Sequence, residues 1–200
     1  MNKIAIQNRV TANLERVDNL VVIYKKHLQG DGPGRRSHQI TDVLRSSVVM
    51  LHATLEDFLR TVSESKLPLA SKDVLDDIPL YGQEGKAKKY SLGDLASHRE
   101  DTVSGLIEKS VSQYLERSNY NNTTEIAKWL SAFGLNPDDY TAHYPDLASM
   151  MSRRHNIVHR ADKTIGQGRG NHHIQTIRPE TIMAWSTCVK QFTCDVIKGL

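Results

Sequence analysis

Arg154, His155 and His159 stand together in the stretch MMSRRHNIVHRAD, residues 150–162, with Arg153, Asn156 and Arg160 beside them. These side-chain types suit chemistry at a phosphodiester. Histidine titrates close to neutral pH and can serve as proton donor or acceptor. Arginine offers a rigid fork of N–H donors matched to phosphate oxygens. RNA cleavage needs a base for the attacking 2′-hydroxyl, an acid for the departing 5′-oxygen and cations for the charge of the phosphorane.

Two other readings compete for the same residues. Arginines often cluster on a solvated helix end, where they favour the macrodipole. His155 and His159, four residues apart on one helix face, have the spacing of a metal pair, with His172 or His173 as further ligands. No glutamate follows His155 in the HExxH manner, and the surrounding cationic side chains repel a divalent ion, so no metal is expected. Spacing also sets a condition on catalysis. At about 100° per residue, Arg154 and His159 lie about 140° apart on a regular helix, whereas His155 and His159 share a face. Either Arg154 curls round the helix or the turn is distorted. A symmetric homodimer would double the available groups by bringing two copies together across a two-fold axis.

The elements that position these residues read as helices. Val10, Leu14, Val17, Val21, Tyr24 and Leu28 recur at three- and four-residue steps, and the pattern ends at the turn-forming GDGPG. A second long helix starts near Ser37, with Ile40, Val43, Leu44, Ser47, Met50, Leu51, Leu55, Phe58, Leu59 and Val62 on its apolar stripe. The two read as antiparallel neighbours. Residues 66–97, with Pro68, Pro79, Gly82, Gly85, Gly93 and the lysines Lys86, Lys88 and Lys89, read as an irregular insertion with a solvated basic tip. Helicity returns around residues 103–115 and again over residues 123–133, where Asn or Thr caps the start and Gly134 stops the run. The helix bearing the motif begins near Pro145–Asp146. The last helix starts at Pro179 and carries Ile182, Trp185, Val189, Phe192 and Val196 on one face. No strand run or internal repeat is evident. The expected architecture is all-α, an antiparallel helical bundle in one domain over residues 1–200, with a loop at 30–36, the insertion at 66–97 and a flexible basic loop at 162–178.

Composition narrows the functional classes. The longest apolar run, Leu20 to Tyr24, is far short of the roughly 20 residues needed to cross a bilayer. Met1–Val10 lacks the apolar core of a signal peptide, so a soluble, cytoplasmic protein without membrane partners is expected. Cys188 and Cys194, six residues apart, face different sides of the last helix and read as two buried, reduced thiols. The net charge is only +3, but residues 153–173 carry +4 of it, leaving the rest of the chain near −1. A focused positive patch favours a polyanionic ligand.

Arg154 to His159, R-H-N-I-V-H, resembles the Arg–polar–x–x–x–His signature of HEPN domains, with His155 in the polar position. SSVVMLHATLEDFLR resembles the earlier HEPN helix that carries an acidic residue, here Glu56, and RRHNIVHRAD resembles the form in bacterial RiboL-PSP-type HEPN proteins. Together with the closing amphipathic helix, the resemblance spans nearly the whole chain. It implies a bundle that dimerises through the motif helix, with the two motifs facing each other in a composite active site. It implies a metal-independent endoribonuclease, without cofactors, that leaves a 2′,3′-cyclic phosphate and a 5′-hydroxyl. Such proteins act as toxins or as effectors in phage defence and abortive infection, so RNA and an antitoxin or defence-system partner are the implied partners. A HEPN-like module that binds RNA or a protein without cleaving is the alternative.

In the family pattern Arg154 stabilises the phosphate, His159 is the acid/base and His155 assists or orients. Glu56 either holds Arg154 or His159 in place or is an ordinary helix-surface glutamate. Arg153, Arg160, Arg169, His172 and His173 are the expected RNA-binding residues, although His172 and His173 also fit an exposed loop with incidental histidines. His52, one turn before Glu56, reads by default as a packed or surface histidine. Trp129 and Trp185 fall on apolar faces and read as core. HEPN toxins paired with nucleotidyltransferase antitoxins resemble Rx4HxY, but the tyrosine position here is Ala161, so control by modification of that residue is not supported.

Overall fold

The computed structural model describes residues 1–30, 37–83, 91–163 and 173–200. Its helices are α1 (Lys3–Ile23), α2 (His38–Lys66), α3 (Lys72–Leu75), α4 (Val103–Arg117), α5 (Thr123–Ala132), α6 (Tyr144–Arg160) and α7 (Pro179–Gly199), with short 3₁₀ turns between several of them. Among the described residues there is no strand, only an isolated antiparallel bridge between Lys163 and Ile174.

Periodicity and capping account for the long helices. Asn2 caps α1 through the amide of Ala5, and Ile6, Val10, Leu14, Val17 and Val21 form its buried stripe. The helix widens into a π-turn at Tyr24–Leu28 before the expected break. Ser37 caps α2 through Ile40, where the sequence places its start. Leu44, Val48, Leu51, Leu55, Phe58, Leu59 and Val62 of α2 are all fully buried. Each such side chain contributes about 1.5–3 kcal/mol of transfer free energy, which makes α2 the spine of the core. Asn122 caps α5, and Gly134 closes it at φ 81°, a left-handed conformation in which glycine carries no Cβ penalty.

Side-chain pairs fix the antiparallel register. Arg9 near the start of α1 pairs with Asp57 near the end of α2. Along α1 and α7, Gln7 meets Cys194, Asp18 meets Ser186 and Lys25 meets Met183. His143, just before α6, pairs with Asp195 near the end of α7 at 3.2 Å. The result is an all-α antiparallel bundle in which α2 packs against α1, α6, α7 and α4.

Residues 66–97 hold more order than their composition suggests. A 3₁₀ turn over Leu67–Leu69, α3 and a second 3₁₀ turn over Asp94–His98 lie within them. The lysines at the expected basic tip lie outside the described residues. Among the described residues, no helix is long and apolar enough to cross a membrane.

Candidate active site

Pro145 and Asp146 open α6, as the sequence indicates, and Leu147, Met150 and Met151 bury its first half. The second half carries the motif. Ile157 packs against the core, whereas Val158 is 48% exposed. The helix stays α-helical to Arg160 and then ends on two consecutive left-handed residues, Ala161 at φ 48° and Asp162 at φ 57°. Both of their amides donate to the Asn156 carbonyl, which closes the helix end.

The regular helix divides the motif between two faces. His155 and His159 are exposed, with ring centroids 4.7 Å apart. Arg154 is half-buried on the side facing α2. Among the described residues, no hydrogen bond or ion pair involves the Arg154 guanidinium, and its buried Nε is without a partner. No distortion of the turn brings Arg154 round to the histidines.

Glu56 stands opposite Arg154 on α2. Its side chain is 24% exposed, and its Oε2 lies 3.4 Å from Nδ1 of His52, one turn earlier. His52 holds the Glu56 carboxyl below its ordinary value, and the charge of Arg154 and the backbone of Tyr120 act in the same direction, against the effect of burial. His52 itself is 1% exposed. Its Nδ1 is at ion-pair distance from Glu56 but outside hydrogen-bond alignment, and among the described residues its Nε2 has no partner. A buried polar group without a partner costs about 1–3 kcal/mol.

Arg153 occupies a different environment from its neighbour. Its Nη2 donates to Asp162 Oδ2 at 2.8 Å and to the carbonyls of Gln175 and Thr176, while Nη1 donates to Gln175 Oε1. Arg45 of α2 donates through Nε to the same Asp162 oxygen at 2.7 Å, and through Nη2 to the Gln175 carbonyl. Asp162 is fully buried, and its carbonyl accepts from the amide of Gln175 at 2.9 Å. Asp162 thus ties α2 to α6 through its carboxylate and holds the return before α7 through its backbone carbonyl. Arg153, expected at the RNA, is a member of this clamp, with both of its terminal nitrogens occupied. The expected flexible loop at 162–178 is likewise anchored at Asp162–Lys163 and again at Ile174–Thr176.

The remaining expected residues scatter. Arg160 is exposed in the last turn of α6, and His173 is exposed just before the bridge. Arg169 and His172 lie outside the described residues. Among the described residues, no three His, Cys, Asp or Glu side chains gather as a set of metal ligands. Ala161, where Rx4HxY relatives have tyrosine, is exposed at the helix end. Asp162 and Arg45 escaped sequence reasoning because they are 117 residues apart. The available signal was an acidic residue directly after a basic helix end, where a solvated carboxylate gains little. Sequence reasoning places His52 one turn before Glu56 as a packed or surface histidine by default, and the structure buries it 3.4 Å from that carboxylate.

A family model described as RiboL-PSP-HEPN matches residues 12–198 of the chain. No curated protein and no solved structure matches it. The match runs from within α1 to within α7, including Glu56 on α2 and the whole of the motif helix, and HEPN domains are all-α bundles generally associated with ribonuclease activity. The chain therefore belongs to the RiboL-PSP-HEPN family.

Proposed function

We propose that this protein is a metal-independent endoribonuclease that acts as a homodimer with a composite active site. The observation that carries the reading is the difference between two adjacent arginines. Arg153 is locked into the Asp162 clamp, while Arg154 keeps its donors uncommitted beside Glu56. An arginine held near a carboxylate but not saturated by it is ready to receive a phosphate.

In the proposed reaction a histidine removes the 2′-hydroxyl proton as the 2′-oxygen attacks phosphorus. The bond from phosphorus to the 5′-oxygen breaks, a protonated histidine supplies the proton to that oxygen, and a 2′,3′-cyclic phosphate and a 5′-hydroxyl result. His159 fills the acid/base role and His155, 4.7 Å away between ring centroids, assists it. Arg154 stabilises the extra charge on the phosphorane. Within one copy Arg154 and the histidines present different faces, so a second copy completes the site. Val158, exposed on α6 beside the histidines, gives the partner an apolar contact. Arg160 and His173, exposed nearby in the chain, are proposed RNA contacts along with Arg169 and His172. The biological role that fits is a toxin or phage-defence effector in the cytoplasm.

The test is incubation of the purified protein with RNA in EDTA, comparing wild type with Arg154→Ala and His159→Ala. Cleavage that survives chelation and disappears in both variants is expected. If wild type binds RNA without cleaving it, the chain is a binding module instead. Loss of cleavage in EDTA would point to a metal. Light scattering should give about twice 22.5 kDa, and a strict monomer would exclude the composite site.

A further inference from the structure

His52 is an unusual residue to find in the core of this bundle. It is 1% exposed, on the spine helix between Leu51 and Leu55, both fully buried. Among the described residues its Nε2 has no hydrogen-bond partner, and its Nδ1 lies 3.4 Å from Glu56. A leucine would fill such a site without stranding a polar ring. Buried polar groups that burden a fold in this way concentrate where function requires them.

What His52 touches gives the reason. The Glu56 carboxylate lies 3.4 Å from His52 on its own helix, and the backbone of Tyr120 in the α4–α5 connection acts with His52 to lower it. Tyr120 is itself fixed, being fully buried with its hydroxyl 3.3 Å from Ser63 Oγ. Arg60, one turn beyond Glu56, donates to the carbonyls of Leu115 and Ser118 and pins the same connection to α2. The third neighbour of the carboxylate is Arg154, which it attracts without a hydrogen bond among the described residues. The Glu56 carboxylate thus stands between the ring of His52 and the charge of Arg154.

We infer that His52 is a positioning residue, holding the Glu56 carboxylate so that Arg154 stays aimed into the site with its donors open. Its effect on catalysis rests on the ribonuclease reading above; its effect on Glu56 does not. His52 touches no substrate in this scheme. It acts through Glu56 and Arg154 on the charge that develops at phosphorus.

The experiment compares His52→Leu, His52→Asn and His52→Gln in the full chain. Asparagine places an amide N–H near the position of Nδ1, whereas glutamine places it near Nε2. Carbon-detected NMR titration of the Glu56 carboxyl is the readout that needs no activity. In wild type it should titrate below the ordinary 4.5. It should move upward in His52→Leu and His52→Gln and stay near wild type in His52→Asn. For RNA cleavage in EDTA, kcat should fall about tenfold to a hundredfold in the leucine variant, with KM little changed and asparagine restoring most of the loss. The melting temperature of His52→Leu should equal or exceed wild type, which a purely structural histidine would not allow. An unchanged Glu56 titration in His52→Leu would overturn the inference. Should that variant not fold, equal titrations in the asparagine and glutamine variants would overturn it. If wild type cleaves no RNA, the ribonuclease reading fails and the titration still decides the role of His52.

Discussion

Arg153 and Arg154, consecutive on α6, answer to different carboxylates. Arg153 donates to Asp162 Oδ2 at 2.8 Å, and Arg154 lies beside Glu56 with no hydrogen bond among the described residues. Alanine at the two positions should therefore have opposite consequences. Arg153→Ala leaves Asp162 with one partner and should cost about 3 kcal/mol, a fall in Tm of around 6–12 °C. Arg154→Ala should leave Tm within about 2 °C of wild type and reduce RNA cleavage about 100-fold or more. Differential scanning fluorimetry with a cleavage assay separates the two.

Asp162 should be more sensitive than either arginine that it binds. Asp162→Asn leaves Arg45 and Arg153 facing each other without an anion and should cost about 3–5 kcal/mol in urea denaturation. Replacing all three members with apolar residues of similar volume should recover most of that loss, because the desolvation of three charges is then removed together. A triple variant as unstable as Asp162→Asn would contradict this account.

Ala161 adopts φ 48° at the end of the motif helix. A side chain bearing Cβ is strained there, whereas glycine is not. Ala161→Gly should raise stability by about 0.5–1 kcal/mol, seen as a higher urea midpoint with an unchanged slope.

Glu56 ties stability to pH with a definite sign. Its folded value lies below 4.5, so its contribution is complete above the unfolded value and fades as pH falls through the lower, folded one. Between pH 7 and 5.5 the difference in Tm between wild type and Glu56→Gln should be constant. Below about pH 4 it should shrink. A difference that grew on acidification would show that the carboxyl is neutral in the native site.

The two thiols should react unequally. Burial pushes the Cys188 thiol up to about 11, and it sits 3.6 Å from the carbonyl of His143. At pH 8 only about one molecule in a thousand then carries the thiolate, and closed packing slows attack further. Cys194 is half-buried rather than fully buried as the sequence suggests. Mass spectrometry after brief alkylation should find Cys194 modified and Cys188 intact, with both modified in urea.

The helices were legible because their signals are local. Ser37 and Pro179 mark starts, and Ile182, Trp185, Val189, Phe192 and Val196 all reach the core at the spacing that betrays them. The shared face of His155 and His159 was legible for the same reason, since helical spacing alone puts the rings together. What the linear pattern hid depends on packing between distant elements. Arg153 and Arg154 look equivalent until α2 supplies Arg45 and Glu56 at different heights. Val158 looks like a core residue until the orientation of α6 is known. Asp162 appears only as a charge to be subtracted, because its partners come from α2 and from the far side of the loop.

The clamp also has a bearing on how such a protein can diversify. It fastens the chain at Asp162 and again at Gln175 and Thr176, so the motif helix keeps its seat whatever lies between the two fastenings. Lengthening a loop costs little, roughly 0.6 kcal/mol for each doubling. New sequence can be spliced between Lys163 and Ile174 while Arg154, His155 and His159 remain in register. The bundle thus provides a socket in which the segment between the two fastenings can be rewritten without rebuilding the motif helix.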